Sequence, residues 1–417
     1  MATLRSEYTD SVSFFGVADP FRLMEEYGSP LYVYNEAMLR KRCEELLALS
    51  SHPGFSIIYS AKANANLSLL RIIREMGLLA DSMSPGELAL QISAGFRPEN
   101  ILYVCNNVSG EEMKAAADAG VLMSLDSLSQ LETFGKLLPG KRVMVRVNPG
   151  IGAGHSKKVI TAGKETKFGV SPELFPHMQD ILSRHSLKLI GLNQHIGSFF
   201  LEPDAFLAAA AWLLEAAESF PGLEIIDFGG GFGIPYHKYE HQPRLDMAEM
   251  GRKLDALLKS WSLETGYKGR FFLEPGRYVA AECGLVLGSV TAVKENAGVR
   301  YVGTDIGFNI LSRPMMYDAF HEVELYRRNA GPAPSGTLQT VVGNICESGD
   351  ILAKDRLLPE AREGDIIAML DAGAYGYAMA SPYTQRVRPA EVLIDLDGGA
   401  RLIRRRETIE DILRMFP

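Results

Sequence analysis

The chain has 417 residues, 47% of them hydrophobic and 23% charged, with a formal net charge of −8, enough chain for two hydrophobic cores. That acidic balance offers no basic field to nucleic acid or anionic lipid and leaves small molecules as the expected partners. Cys43, Cys105, Cys283 and Cys346 lie far apart with no CxxC spacing, which argues against a zinc site or a disulfide framework and for a reducing cytoplasm.

At the N-terminus, MATLRSEYTDSVSFFGVADP lacks the basic start and apolar run of a signal peptide. From about residue 55 to 277, strand-like runs alternate with amphipathic helical ones. Strands are expected to begin at Phe55, Leu78, Ile101, Val121, Arg142, Leu189, Leu223 and Arg270. The runs between them, such as LSLLRIIREMG, GELALQISAG and GEEMKAAADAG, are apolar at helical spacing and closed by glycine. FLAAAAWLLEAA (Phe206 to Ala217) is too short to span a bilayer and reads as a core-facing helix. Eight such β/α repeats predict an α/β fold built on a closed (β/α)8 TIM barrel, with a doubly wound open sheet as the alternative. After Arg277 the alternation stops. VLGSVTAVKE, VRYVGTDIG, TLQTVVGN, DIIAMLDAG and EVLIDLDGGARLIRRR then predict a mostly antiparallel β domain.

A parallel barrel carries its active site at the C-terminal ends of its strands. The residues there are Lys62, Asp81, Ser84, Asn148, His195, Ser198, Gly229, Gly230, Gly231, Glu274 and Arg277. A lysine closing a buried strand is expected to be partly desolvated, which favours the nucleophilic amine and Schiff-base chemistry. The plainer alternative is a lysine snorkelling from the barrel mouth. FGGGFG after a strand reads as a phosphate cradle, or as a tight turn. In EPGR, Glu274 and Arg277 either pair with each other or serve a phosphorylated nitrogen heterocycle, Glu274 at the ring nitrogen and Arg277 at an anion. His195 is a buried core histidine or stacks on such a ring. GAGHSKKVITAGKETKFGV (Gly152 to Val170) is long for a barrel loop and is a mobile lid or a surface excursion.

YSAKANAN, HIGS, FGGGFG, EPGR, CESGD (Cys346 to Asp350) and GAYGYAM (Gly373 to Met379) occur in this order along almost the whole chain. Together they resemble the pyridoxal-phosphate decarboxylases of the alanine-racemase fold, and among these the diaminopimelate decarboxylases most. The resemblance implies a barrel over residues 28–277, a β domain formed by 278–417 with 1–27, and a homodimer with shared active sites. It implies that Lys62 binds pyridoxal 5'-phosphate, that His195 stacks on the ring, and that Ser198 and Gly229 to Gly231 hold the phosphate. Glu274 would pair with the pyridine nitrogen, and Asp81, Gly276, Arg277 and Tyr375 would line the cofactor. Cys346 and Glu347 would come from the partner subunit, Cys346 as proton donor and Glu347 toward the distal amine. Arg313 and Tyr317, with Arg277, match the positions that bind the distal carboxylate of meso-diaminopimelate. No metal is implied.

The chain departs from the family's pattern at Phe199, where glutamine is frequent, and at Asn344, where proline is usual. Decarboxylases of D-ornithine or D-lysine, of carboxynorspermidine or of a siderophore precursor stay open as alternatives, as does a catalytically silent binding homologue.

Overall fold

The structure, a computed structural model, describes residues 6–150, 166–328 and 336–417. Most of the predicted lid lies outside the described residues. The chain divides into two compact units, one of Arg40–Ile234 with Pro243–Val279, the other of Met1–Leu39, Pro235–Gln242 and Ala280–Pro417.

The first strand, β1 (Leu31–Asn35), belongs to the second unit. The first unit is a closed barrel of β2 (Phe55–Ser60), β3 (Leu79–Ser82), β4 (Ile101–Cys105), β5 (Leu122–Leu125), β6 (Arg142–Arg146), β7 (Lys188–Asn193), β8 (Ile225–Asp227) and β9 (Arg270–Leu273). Every neighbouring pair is parallel, and β9 closes on β2 through Phe55 opposite Phe271. All eight predicted strands are present, and the open sheet is excluded. Ile58, Leu102, Val104, Met144, Ile190, Ile225 and Phe272 form one buried cluster of barrel-strand side chains. At about 1.5–3 kcal/mol for each large side chain buried, that cluster is a principal source of the unit's stability.

Helices alternate with these strands, and the sequence caps them locally. The helix Leu67–Glu75 starts at Asn66, whose side chain accepts from the Ser68 N–H at 2.9 Å. Ser84, Ser109 and Ser127 cap the next helices in the same way, satisfying amides that no helical carbonyl can reach.

The second unit holds a nine-stranded sheet. It adds β10 (Gly284–Asn296), β11 (Val299–Thr304), β12 (Val323–Tyr326), β13 (Thr337–Val342), β14 (Ile351–Leu358), β15 (Ile366–Met369), β16 (Ala390–Ile394) and β17 (Ala400–Arg404) to β1. The order is β14-β13-β11-β10-β1-β16-β17, with β15 pairing β10 and β12. Among the described residues only β1 with β16 and β11 with β13 run parallel, so the expectation of a mostly antiparallel sheet holds. Phe14 and Leu23 from the N-terminal stretch pack into its core beside Val33, Leu287, Ala368 and Val392.

Two boundaries differ from the expectation of 28–277 and 1–27 with 278–417. The first lies after Leu39 rather than Tyr27, because β1 is buried along its whole length between β10 and β16. LYVYN has no periodicity that names its partners. The second difference is Pro235–Gln242, an excursion from the barrel segment. Lys238 anchors it by ion pairs to Glu282 at 3.0 Å and Asp371 at 3.1 Å.

Candidate active site

Lys62 lies one residue into the single 3-10 turn Ala61–Ala63 that follows β2. Small residues are required there, since Ala61 and Ala63 are fully buried. Tyr59 donates to the Asn64 carbonyl at 2.9 Å, and the Asn64 side chain accepts from the Asn66 N–H at 2.9 Å. Asp81 fixes the same turn from β3: its carboxylate accepts from Ser60 Oγ at 2.8 Å and from the Ala61 N–H at 2.9 Å.

The expected desolvation of Lys62 is not met. Lys62 is exposed and stands in the turn that follows the strand end at Ser60. Its charge nonetheless acts on buried groups, opposing the upward pKa shifts of Asp81 and Glu274. Its surroundings are therefore electrostatic rather than apolar.

Glu274 closes β9 and is buried; its Oε2 accepts weakly from Asn193 Nδ2 at 3.4 Å, no N–H or hydroxyl donor among the described residues reaches its Oε1, and its carboxyl lies within hydrogen-bonding reach of the Asp227 carboxyl. Burial pushes its pKa well above the usual carboxylate range, and the nearby Asp227 and Asp81 carboxylates push it further. Asp227, at the end of β8, is fully buried and raised to about 7, chiefly by burial. A buried, half-satisfied carboxylate among other carboxylates is costly for the chain alone, and a protonated ring nitrogen placed against it would supply both a donor and a cation.

His195 follows β7. The Gly230 N–H donates to His195 Nδ1 at 3.0 Å, which puts the proton of the neutral ring on Nε2. Burial drives the His195 pKa well below the ordinary histidine value, helped by the charges of Lys62 and Arg146. The ring is thus neutral and held in one orientation, as a stacking face requires.

The glycine loop differs from the expected cradle. The Gly229 N–H donates to Asp227 Oδ1 at 2.9 Å and that of Gly230 to His195, leaving at most one of the three amides for an anion. Close approach is what demands glycine: a Cβ at Gly230 would overlap the Glu274 carbonyl oxygen, and one at Gly229 the Gln194 carbonyl oxygen. Gly276 packs against Ser60 and Ala63. Arg277 donates to Ser198 Oγ at 3.0 Å and lies 5.8 Å from the Phe199 ring, so Phe199, the departure noted above, flanks a predicted anion-binding residue. Two members of the strand-end shortlist are architectural. Ser84 is a helix cap, and Asn148 orders its loop through Thr166, Phe168 and the Gly150 N–H.

Sequence reasoning missed Arg146, Asn193 and Asp227. Arg146 is 5% exposed, 3.4 Å from the His195 carbonyl and 3.8 Å from Asp126, with its guanidinium over the Phe168 ring. The available signal was a charged residue inside the apolar run RVMVRV.

Tyr375, Cys346, Glu347, Arg313 and Tyr317 stand in the β unit. Tyr375 is half-buried with a positive φ of 57° in the glycine-rich loop after β15. Cys346 is exposed. Its loop is shaped by Asp350, which accepts from the Ile345 and Phe308 N–H groups, each at 2.7 Å; Glu347 accepts from Tyr383 at 2.6 Å. Asn344, the other departure, donates to the Asp305 carbonyl at 3.3 Å. Arg313 opens the short helix Arg313–Tyr317 and is 3% exposed, while Tyr317 is half-buried.

Three kinds of comparison bear on this arrangement. The family model for the pyridoxal-dependent decarboxylases' pyridoxal binding domain matches residues 37–281. The diaminopimelate decarboxylase of Methanothermobacter thermautotrophicus is 41% identical over 408 residues, covering 96% of this chain and 94% of its own length. The Escherichia coli diaminopimelate decarboxylase is 33% identical over 410 residues, covering 94% and 95%. Among solved structures, Helicobacter pylori diaminopimelate decarboxylase complexed with L-lysine superposes with a TM-score of 0.87 at 28% identity, covering 95% of this chain and 99% of that one. With its eight-stranded barrel, its strand-end lysine and its half-satisfied buried glutamate, this chain belongs to the pyridoxal-dependent decarboxylases.

Proposed function

We propose that the chain decarboxylates meso-diaminopimelate to L-lysine and CO2, with pyridoxal 5'-phosphate held covalently by Lys62. The observation that carries the chemistry is the buried Glu274 carboxylate, whose Oε1 meets no N–H or hydroxyl donor among the described residues. Pyridoxal phosphate, when bound, supplies the electron sink for the pair left behind by the departing carboxylate.

The chain's residues take the following parts. Lys62 would hold the cofactor through its amine, and Asp81 keeps the turn beneath Lys62 in place. Glu274 holds the ring nitrogen protonated, which favours loss of CO2. His195, neutral and fixed by Gly230, offers its face to the ring. Ser198 accepts from Arg277 and keeps its own hydroxyl proton for the phosphate, where the remaining glycine-loop amide, Gly276 and Tyr375 also serve.

Arg313, Tyr317 and Arg277 receive the substrate's distal carboxylate, and Glu347 its distal amine. Cys346 places a proton on the carbon that CO2 has left. Cys346 is exposed on the single chain, as a residue serving a partner's site would be, and a homodimer with shared sites is part of the proposal. No helix of the described residues is long and apolar enough to cross a membrane, and a cytoplasmic location is the proposed one.

The identity to diaminopimelate decarboxylases, 33–41% over nearly the full length, supports this substrate. Carbon dioxide release from meso-diaminopimelate, D-lysine, D-ornithine and carboxynorspermidine tests it. The highest kcat/KM is expected for meso-diaminopimelate; a higher value for a substrate without the distal carboxylate would overturn the assignment of Arg313 and Tyr317.

A further inference from the structure

We propose that His321 is a positioning residue for substrate recognition, aiming the Arg313 guanidinium by accepting its hydrogen bond as a neutral imidazole. This deepens the reading above and rests on Arg313 receiving the distal carboxylate.

His321 is fully buried just before β12. Its Nδ1 lies 2.7 Å from the Leu370 carbonyl oxygen, and since a carbonyl only accepts, Nδ1 must carry the ring proton. In the neutral ring Nε2 then has a lone pair, and Arg313 Nη1 lies 2.8 Å from it. Guanidinium nitrogens only donate, so this bond has one possible direction. An imidazolium would set a proton on Nε2 against the guanidinium, which identifies the neutral form as the one present.

The same guanidinium is braced by an aromatic ring. Its central carbon lies 4.8 Å from the Tyr236 ring centroid, and that ring meets His321 edge-on at 5.6 Å and 80°. Arg313 is thus located by a cation–π face and by a directional acceptor anchored on the backbone after β15. A carboxylate in the place of His321 would orient the guanidinium equally well but would neutralise the charge that attracts an anionic substrate. A neutral acceptor orients the group without adding a negative charge beside it.

A histidine that merely fills the core would give a general loss of stability on removal, without selectivity for one end of the ligand. The test uses L-lysine, which keeps the distal carboxylate, and cadaverine, which lacks it. Both are titrated calorimetrically into the full-length holoenzyme and its variants, alongside KM and kcat for meso-diaminopimelate. For His321→Leu the KM for meso-diaminopimelate and the Kd for L-lysine are expected to rise on the order of tenfold to a hundredfold. The kcat and the Kd for cadaverine should stay within about threefold, the scatter of a non-interacting substitution.

His321→Gln, whose amide donates and accepts, should recover most of the loss, and the double variant His321→Leu/Arg313→Ala should be no weaker than Arg313→Ala alone. If His321→Leu does not fold, His321→Asn decides by the same comparison, since its amide mimics Nδ1 and cannot reach Arg313. Unchanged L-lysine affinity in the His321 variants, or equal weakening of L-lysine and cadaverine, would overturn the proposal. Unchanged L-lysine affinity in Arg313→Ala would instead overturn the reading of Arg313 on which it rests.

Discussion

Glu274→Gln should move stability and activity in opposite directions. In the cofactor-free protein the Glu274 carboxyl is buried, one oxygen meets no N–H or hydroxyl donor among the described residues, and its pKa is raised by burial and by Asp227 and Asp81. A carboxyl raised in the folded state adds stability below its unfolded pKa and loses it as pH rises through the folded value. At pH 7.5 the folded protein therefore bears a penalty that glutamine, which never ionises, removes. Relieving an unsatisfied buried group of this kind is worth about 1–3 kcal/mol, so the cofactor-free variant should melt a few degrees higher. The advantage should vanish below about pH 4, near the unfolded glutamate pKa, where both states hold the proton. Turnover should fall instead, because the amide cannot hold the ring nitrogen protonated by charge. Losing one partner of a desolvated charge pair costs about 3–4 kcal/mol, or roughly 10²- to 10³-fold in kcat. Scanning fluorimetry of the cofactor-free proteins across pH and CO2 release by the holoenzymes measure the two effects. A kcat within tenfold of the parent, or a lower melting temperature at pH 7.5, would refute the reasoning.

Borohydride reduction of the holoenzyme should fix the cofactor on the peptide containing Lys62, as read by mass spectrometry. Lys62→Ala should lose that label and roughly 10³-fold or more in kcat; a label elsewhere would reassign the attachment site. Gly230→Ala sets a methyl group against the Glu274 carbonyl oxygen and should cost about 1–3 kcal/mol together with cofactor retention. An unchanged melting curve and unchanged cofactor content would show that the loop has room the structure does not.

The parts of the site legible in the sequence were those a strand end announces. Lys62, His195 and Glu274 each follow an apolar run, and a parallel barrel gathers such ends on one face. Residues inside the runs were not legible. Arg146 and Asn193 read as strand positions until the barrel turned them inward beside His195 and Glu274. The glycine loop shows the converse. FGGGFG announces backbone freedom, yet only the fold reveals that Gly229 and Gly230 direct their amides to Asp227 and His195.

The β/α alternation, the eight strand starts and the change to β-rich chain after Arg277 were determined by local patterning, because periodicity and turn chemistry act over a few residues. Pairing is a property of distant segments. The family resemblance placed LYVYN in the barrel segment, whereas its partners β10 and β16 draw it into the sheet. Electrostatic state is equally non-local: Lys62 is exposed where partial desolvation was expected, and Glu274 is raised by burial and then by carboxylates on two other strands. Which groups share a low-dielectric space is decided only when the strands close into a barrel.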